Sequence, residues 1–464
     1  MPTRTRVRDL ALRLLGVVYL IAFASLWVQL DVLMGSKGLL PAHEWLEVMP
    51  FRLTPSVFHA TASDGALHAG AALGVVASIV LVLGLVPRVT LVVLWVLYLS
   101  FVSAGSRFFE FQWDTFLLEA TLVGWFLAPL AWRLRGAPAP STGATLLALG
   151  LVVKLHVESG LSKLISGDPT WRDLSALATY YETAPIPTPL AWWGHQLPPG
   201  VHQATAVLVL AIEIVAPLLV LGPHRVRGVL FFVFAALQVG TQLTANYGFF
   251  NVLTVVVCLL VLDDGHLAWF RRAAAADPVP APHPIDRRLA GGALVAWAAL
   301  SLVSFVSTES LEPVRLFFRP LRTVNAYHLF ATMTIVRREV VIEGSLDGEK
   351  WEAYELRYKP GDPRRRPPFV APHQPRVDFL LWFARLGNHD IRYLERLVAR
   401  LLDEPEVVRE LFAHMPFEGR APRFVRIVTY QYGFTDAESV QETGAWWVRE
   451  LLPRETSEVM SRQR

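Results

Sequence analysis

The chain has a single cysteine, Cys258, and it lies inside an apolar run. This excludes an intrachain disulfide, a CxxC redox motif and a cysteine-based zinc site. Charge is also scarce: 18% of the 464 residues are charged, against about 25% in an ordinary soluble chain. The net charge of +3 is small and the arginines are scattered, so no nucleic-acid-binding patch and no nucleic-acid partner are expected. No hydrolase elbow, phosphate loop, HExxH or kinase signature occurs. His43, His59, His68, His195, His202 and His224 lack metal-ligand spacing on any single helix, and neither a metal nor a cofactor is expected. No internal repeat of the kind that marks transporters is visible.

What the chain has instead is apolar length. It is 53% hydrophobic, with 15 Trp and 26 Phe. The charge deficit is local. Residues 1–310 contain long runs almost free of charge, whereas 311–464 have soluble composition. Two domains are therefore expected: a helical membrane domain over 1–310 and a soluble domain over 311–464. A membrane-spanning helix needs roughly 20 mostly apolar residues. Nine candidates fall near 10–30, 66–86, 89–105, 113–132, 142–163, 203–222, 227–244, 247–263 and 289–307. The N-terminal arginines followed by apolar sequence to Leu30 read as a retained first helix, since no small-residue cleavage site follows.

The loops test this count. With the N-terminus inside, the inner segments carry Arg4, Arg6, Arg8, Arg13, Arg88, Arg133, Arg135, Arg225, Arg227, Arg271, Arg272, Arg287 and Arg288, which is 13 basic residues. The outer loops carry Lys37, Arg52, Arg107, Lys163 and Arg172, which is 5. The bias matches the positive-inside rule. Nine helices then put the C-terminal domain on the extracytoplasmic side. The outer loops 31–65 and 164–202 are long and aromatic, which connecting loops seldom are. The inner linker 273–286 is a Pro/Ala spacer.

The C-terminal part reads as β-rich, a small β-sandwich with inserted helices. Val324–Val336 and Arg338–Gly344 are rich in β-branched and aromatic residues, and two alternating strands flank Asp347-Gly348, a hairpin signal. Residues 376–386 and 390–415 carry helical periodicity, and 423–432 alternates as a half-buried strand does.

Ionisable groups inside a membrane are costly and mark candidate sites. The 142–163 segment holds Lys154, His156, Glu158 and Lys163. Lys154 and Glu158 share a helix face and form a neutralising pair on the plain reading. Lys163 is either an interface lysine or a base in an outward cleft, with His156 and Glu158 as further candidates. Asp114 is placed to cap its helix, and Glu119 to pair with a base on a neighbouring helix. Asp114, Glu119, Lys154 and Glu158 thus form the expected intramembrane polar network.

The stretches FEFQWDTFLLEATLVGWFLAP (109–129), GLSKLISGDPTWRDL…YYETAPIPTPL within 154–198, TANYGFFNVL from 244, and NAYHLFATMTIVRREVVIEGSLDG through HQPRVDFLLWFA within 325–384 resemble the lipase maturation factor family. The resemblance covers most of the chain in order. It implies a membrane-embedded, multi-pass folding factor, a chaperone for an exported client such as a lipase, in contact with membrane lipids. Its setting would be the endoplasmic reticulum in a eukaryote or the inner membrane in a bacterium. Trp171, Arg172, Asp173, Tyr181, Glu182, Pro185 and Pro187 are the residues expected to meet the client, since such side chains dominate protein contacts. A fainter similarity links GLSKL and the following Trp to the vitamin K-dependent γ-carboxylase family, where the position matching Lys163 acts as a base. That would imply an enzyme acting on a lipid, quinone or peptide.

Overall fold

The computed structural model describes residues 3–267, 280–306, 309–387, 390–453 and 459–461. Each of the nine apolar segments contains a helix. Among the described residues seven helices are long and apolar enough to cross a membrane: Thr5–Trp27, Asp64–Leu83, Pro87–Ala104, Thr142–Ile165, Pro199–Leu219, His224–Thr244 and Pro284–Val306. The other two are shorter, Gln112–Leu127 with 16 residues and Phe250–Val261. At 1.5 Å per residue they reach only about 24 and 18 Å. Arg271, Arg272 and the first half of the 273–286 linker lie outside the described residues.

Local signals start several of these helices. Ser63 and Ser141 each accept an N–H from the first turn, at Ala66 and Ala144, caps worth about 1 kcal/mol each. The first helix is capped from far away: the Asp264 carboxylate takes the N–H groups of Thr5, Arg6 and Val7 at 2.9–3.1 Å. Pro199–Leu219, His224–Thr244 and Pro284–Val306 bury only 22% of their apolar windows. Phe232, Leu208, Val295 and Leu302 project from them uncovered. Helices that apolar and that uncovered require lipid around them. The protein is a multi-pass membrane protein.

The C-terminal domain is α+β and built on one antiparallel sheet. Its strands are β1 (Arg337–Ser345), β2 (Glu352–Leu356), β3 (Phe412–His414), β4 (Phe424–Phe434), β5 (Trp447–Leu451) and β6 (Met460–Ser461), in the order β3-β2-β1-β4-β5 with β6 also on β4. The expected hairpin is present, with Ile342 opposite Tyr354 and Gly348 at φ 86° in its turn. Among the described residues helices stand where the expected second sheet of a sandwich would be. The Arg392–Asp403 helix turns Leu394, Leu397, Val398 and Leu401 into the core while its charged face stays outside. Residues 324–336, β-like in composition, form no strand. Their backbone is used elsewhere.

Candidate functional site

That backbone is a strap that crosses one end of the set of membrane helices. Asp114, Glu119, Glu158 and Lys163 are each hydrogen-bonded to it or to the adjoining C-terminal domain. The residues fall into three clusters.

The first cluster centres on Glu119, which is fully buried. Its Oε1 accepts Lys154 Nζ at 2.6 Å and Trp297 Nε1 at 2.8 Å. Its Oε2 accepts Asn325 N and Nδ2 at 3.0 Å and the Tyr327 hydroxyl at 2.6 Å. Glu119 thus finds its base on a neighbouring helix, as expected. The expected Lys154–Glu158 pair is not what forms. Lys154 turns to Glu119 and lies over the Trp297 and Tyr327 rings, while Glu158 accepts the Tyr327 N–H at 2.9 Å. A strap amide between the two helices satisfies one carboxylate, which frees Lys154 for the other.

The second cluster surrounds Lys163, which is 1% exposed and so no snorkelling side chain. Its ammonium donates to Glu213 at 2.6 Å, to the Leu329 carbonyl of the strap at 2.9 Å and to the Ser159 carbonyl at 3.3 Å, beneath the Trp171 ring. Glu213 lies in a π-helical turn, Ala211–Val215, a local widening common at special sites. Gly160 makes the approach feasible, because a Cβ there would stand 2.9 Å from Glu213 Cβ and 2.5 Å from Ile214. The glycine and lysine of GLSKL therefore have a structural account: one lets two helices touch and the other neutralises the acid between them. His156, the other weak catalytic candidate, is buried against Phe234, with Nδ1 on the Val152 carbonyl. Two small surface clefts, with room for about 10 Å³ each, are lined by Pro187, Lys359 and Trp447 and by Arg4, Arg8 and Leu127 respectively. Neither reaches Lys163, His156 or Glu158. Nothing in this geometry favours the carboxylase-like reading.

The third cluster is the Arg376–Asp114 pair. Asp114 does not cap its helix. It is fully buried and takes both Arg376 nitrogens, at 2.8 and 2.9 Å, together with the Tyr98 hydroxyl at 2.6 Å. Arg376 also donates to the Phe108 carbonyl at 2.7 Å and stacks 3.7 Å over Phe109. Beside it, Gln29 bridges Arg376 N and the Gln374 carbonyl, and Ser25 bonds Gln374 N and His373 Nδ1.

The loop 164–202 belongs to the same seam. Trp171 is buried and donates to the Phe330 carbonyl at 2.8 Å. Asp168 accepts the Met333 N–H at 2.8 Å. Arg337, buried at the start of β1, donates to the carbonyls of Glu182, Ala184 and Pro185 at 2.5–2.9 Å. Of the residues expected to meet a client, Trp171, Tyr181, Pro185 and Pro187 are therefore buried, Glu182 is half-buried, and Arg172 and Asp173 are exposed. Sequence reasoning did not single out Glu213, Tyr327, Arg376 or Arg337. Glu213 had a signal, as the lone carboxylate of an apolar run. The others sit in a soluble-looking segment where nothing marks them as buried.

His373 carries a pH prediction. Burial, and then the Arg376 charge, push its pKa down to about 4. A histidine with a lowered folded-state pKa contributes stability that is present above its ordinary pKa and lost as pH falls. The melting temperature should therefore decline between about pH 6.5 and 4, and His373→Gln should flatten that decline. An unchanged slope in the variant would remove His373 from the account.

A family model described as the lipase maturation factor transmembrane domain matches residues 6–269, and one for the lipase maturation factor C-terminal domain matches 323–457. Lipase maturation factor 1 of Bos taurus is 32% identical over 96% of this chain and 87% of its own length. Lipase maturation factor 2 of Mus musculus is 32% identical over 96% of this chain and 82% of its own length. Lipase maturation factor 1 of Homo sapiens is 31% identical, with 96% and 86% covered. No solved structure matches. With family models over most of its length and relatives 31–32% identical over 96% of it, the chain belongs to the lipase maturation factor family.

Proposed function

We propose that this protein is a membrane-embedded maturation factor that helps an exported client, a lipase by the names of its relatives, reach its active form. The observation that carries this reading is whole-length membership of the family, with the quoted motifs forming the joint between bundle and C-terminal domain. A buried joint of charges suits a scaffold that presents one fixed outer surface, not a catalytic cleft. The exposed part of that surface includes Arg172 and Asp173, with Trp193 (57% exposed) and Phe51 (61% exposed) on the same outer loops. Co-expression with a secreted lipase tests the reading. Active lipase per unit of lipase protein should rise severalfold with the wild-type chain. No rise, with the chain well expressed, would refute it.

The same proposal sets the orientation: N-terminus cytoplasmic, nine crossings, membrane domain to residue 310, and residues 311–464 extracytoplasmic, in the inner membrane or endoplasmic reticulum according to source. Two groups of contacts support the sidedness. Glu44 and Lys37 of loop 31–65 pair with Arg396 and Glu404, and Asn246 binds Pro368 and Val370, so these loops share a side with the C-terminal domain. At the other end, Arg88 pairs with Asp286, and Arg4 and Arg8 bind Leu262 and Pro138. Reporter fusions after residues 136, 200, 275 and 330 should read in, out, in and out. A cytoplasmic reading at 330 would remove the nine-crossing arrangement.

A further inference from the structure

At the end of the bundle opposite the seam lies a cluster that the proposed function does not use. His224 opens the His224–Thr244 helix, and Asp263 and His266 follow the Phe250–Val261 helix. Their donor atoms all lie within 4.8 Å of one another. His224 Nδ1 is 3.2 Å from the Asp263 carboxylate, and His266 Nδ1 is 3.0 Å from Asp263 Oδ1. The two imidazoles stack with centroids 3.6 Å apart.

The hydrogen bonds around His266 define what that 3.0 Å contact is. Its Nε2 faces the His224 carbonyl at 2.9 Å and must donate to it. The main-chain N–H of Asp263 points at Nδ1 from 3.1 Å, which calls for a lone pair there. Nδ1 also faces Asp263 Oδ1 at 3.0 Å, and a proton or a metal ion held between the two atoms makes that contact favourable. Arg227 holds the other carboxylate oxygen, Oδ2. Oδ1 has the Gly265 N–H at 3.0 Å and a remaining lone pair toward the imidazoles.

We propose that His224, Asp263 and His266 bind a divalent transition-metal ion. The donor set of two imidazoles and a carboxylate, with no thiolate, suits zinc and its neighbours and not magnesium or calcium. A tetrahedral zinc site separates its donor atoms by roughly 3.3 Å, close to the 3.0 and 3.2 Å found here. The His266 Nε2–H···O=C bond is the kind of outer-shell support that fixes a ligating imidazole. His224 is half exposed, which leaves room for water as the fourth ligand. Gly265 keeps the site open, since a Cβ there would approach Asp263 Oδ1 to 3.1 Å and His224 Cε1 to 3.2 Å. The ion would clamp the start of one helix to the segment whose Asp264 caps the first helix. Sequence spacing hid the site because its ligands come from two segments 39 residues apart.

The untagged full chain, purified in detergent and stripped with a chelator, is titrated with zinc chloride. Saturable binding of one zinc per chain is expected, with a rise in melting temperature. His224→Ala and His266→Gln should each weaken binding by about 100-fold or more, beyond the 10–100-fold that loss of an outer-shell partner costs. The His224→Ala chain, altered at a half-exposed side chain, should keep its zinc-free melting temperature. His43→Ala, in an outer loop, should bind zinc as the wild type does. Absence of saturable binding to the wild type, or equal affinity in the His224→Ala/His266→Gln double variant, overturns the proposal.

Discussion

Arg376→Ala is expected to lower stability by about 3–5 kcal/mol, the cost of leaving one member of a buried ion pair alone. Asp114 is fully buried and its main compensation is the Arg376 fork, which comes from 262 residues away. Arg376→Lys should also be damaging. A single ammonium cannot satisfy both carboxylate oxygens and the Phe108 carbonyl while stacking on Phe109. The double replacement Asp114→Leu/Arg376→Met removes both charges and should recover much of the loss. Thermal unfolding in detergent measures the first effect. Protease cleavage near residue 320 measures release of the C-terminal domain, and it should accelerate in the single variants. Unchanged melting and cleavage in Arg376→Ala would show that the seam is held by something else.

Glu119→Ala should be at least as severe. It strands the Lys154 ammonium, again about 3–5 kcal/mol for a broken buried pair, and deprives Trp297, Asn325 and Tyr327 of their shared acceptor. Each buried donor left unmade adds about 1–3 kcal/mol, and the terms are not additive because Glu158 stands one helical turn from Lys154. Glu119→Gln keeps one acceptor oxygen and the side-chain shape, so it should fall between wild type and alanine. Yield of monodisperse protein and the melting temperature should rank wild type, Gln, Ala. A Glu119→Ala chain with wild-type melting would contradict the network as drawn.

Much of the fold was legible because lipid imposes a pattern that a single sequence can carry. Apolar runs between arginines located the helices, and Asp347-Gly348 located the hairpin. The strap at 325–333 is β-like in composition yet forms no strand, since its Tyr, Leu, Phe and Met content is that of a buried segment and composition does not say what buries it. Its amides and carbonyls bond side chains of the bundle instead of a neighbouring strand. The site was legible only in part. Glu119, Lys154, Glu158, Lys163 and Asp114 stood out because a charge in an apolar run is costly. Their partners did not, because Tyr327 and Arg376 lie 208 and 262 residues from the acids they bind. Trp171, Glu182 and Pro185, residue types that suit any interface, serve the internal one between loop 164–202 and the C-terminal domain.

The central claim is that the buried charges join two parts of a scaffold and perform no proton chemistry. Lys163 is where the claim is most exposed. Lys163→Met/Glu213→Leu, co-expressed with a secreted lipase, tests it directly. The two replacements keep the side-chain volume, remove both charges together and leave the Leu329 carbonyl without its donor, a modest loss. The account predicts a folded chain that yields nearly as much active lipase as the wild type, while Lys163→Ala alone is unstable because Glu213 is left buried without a partner. A double variant that folds with a normal melting temperature yet yields no active lipase would contradict the account and make Lys163 a chemical participant.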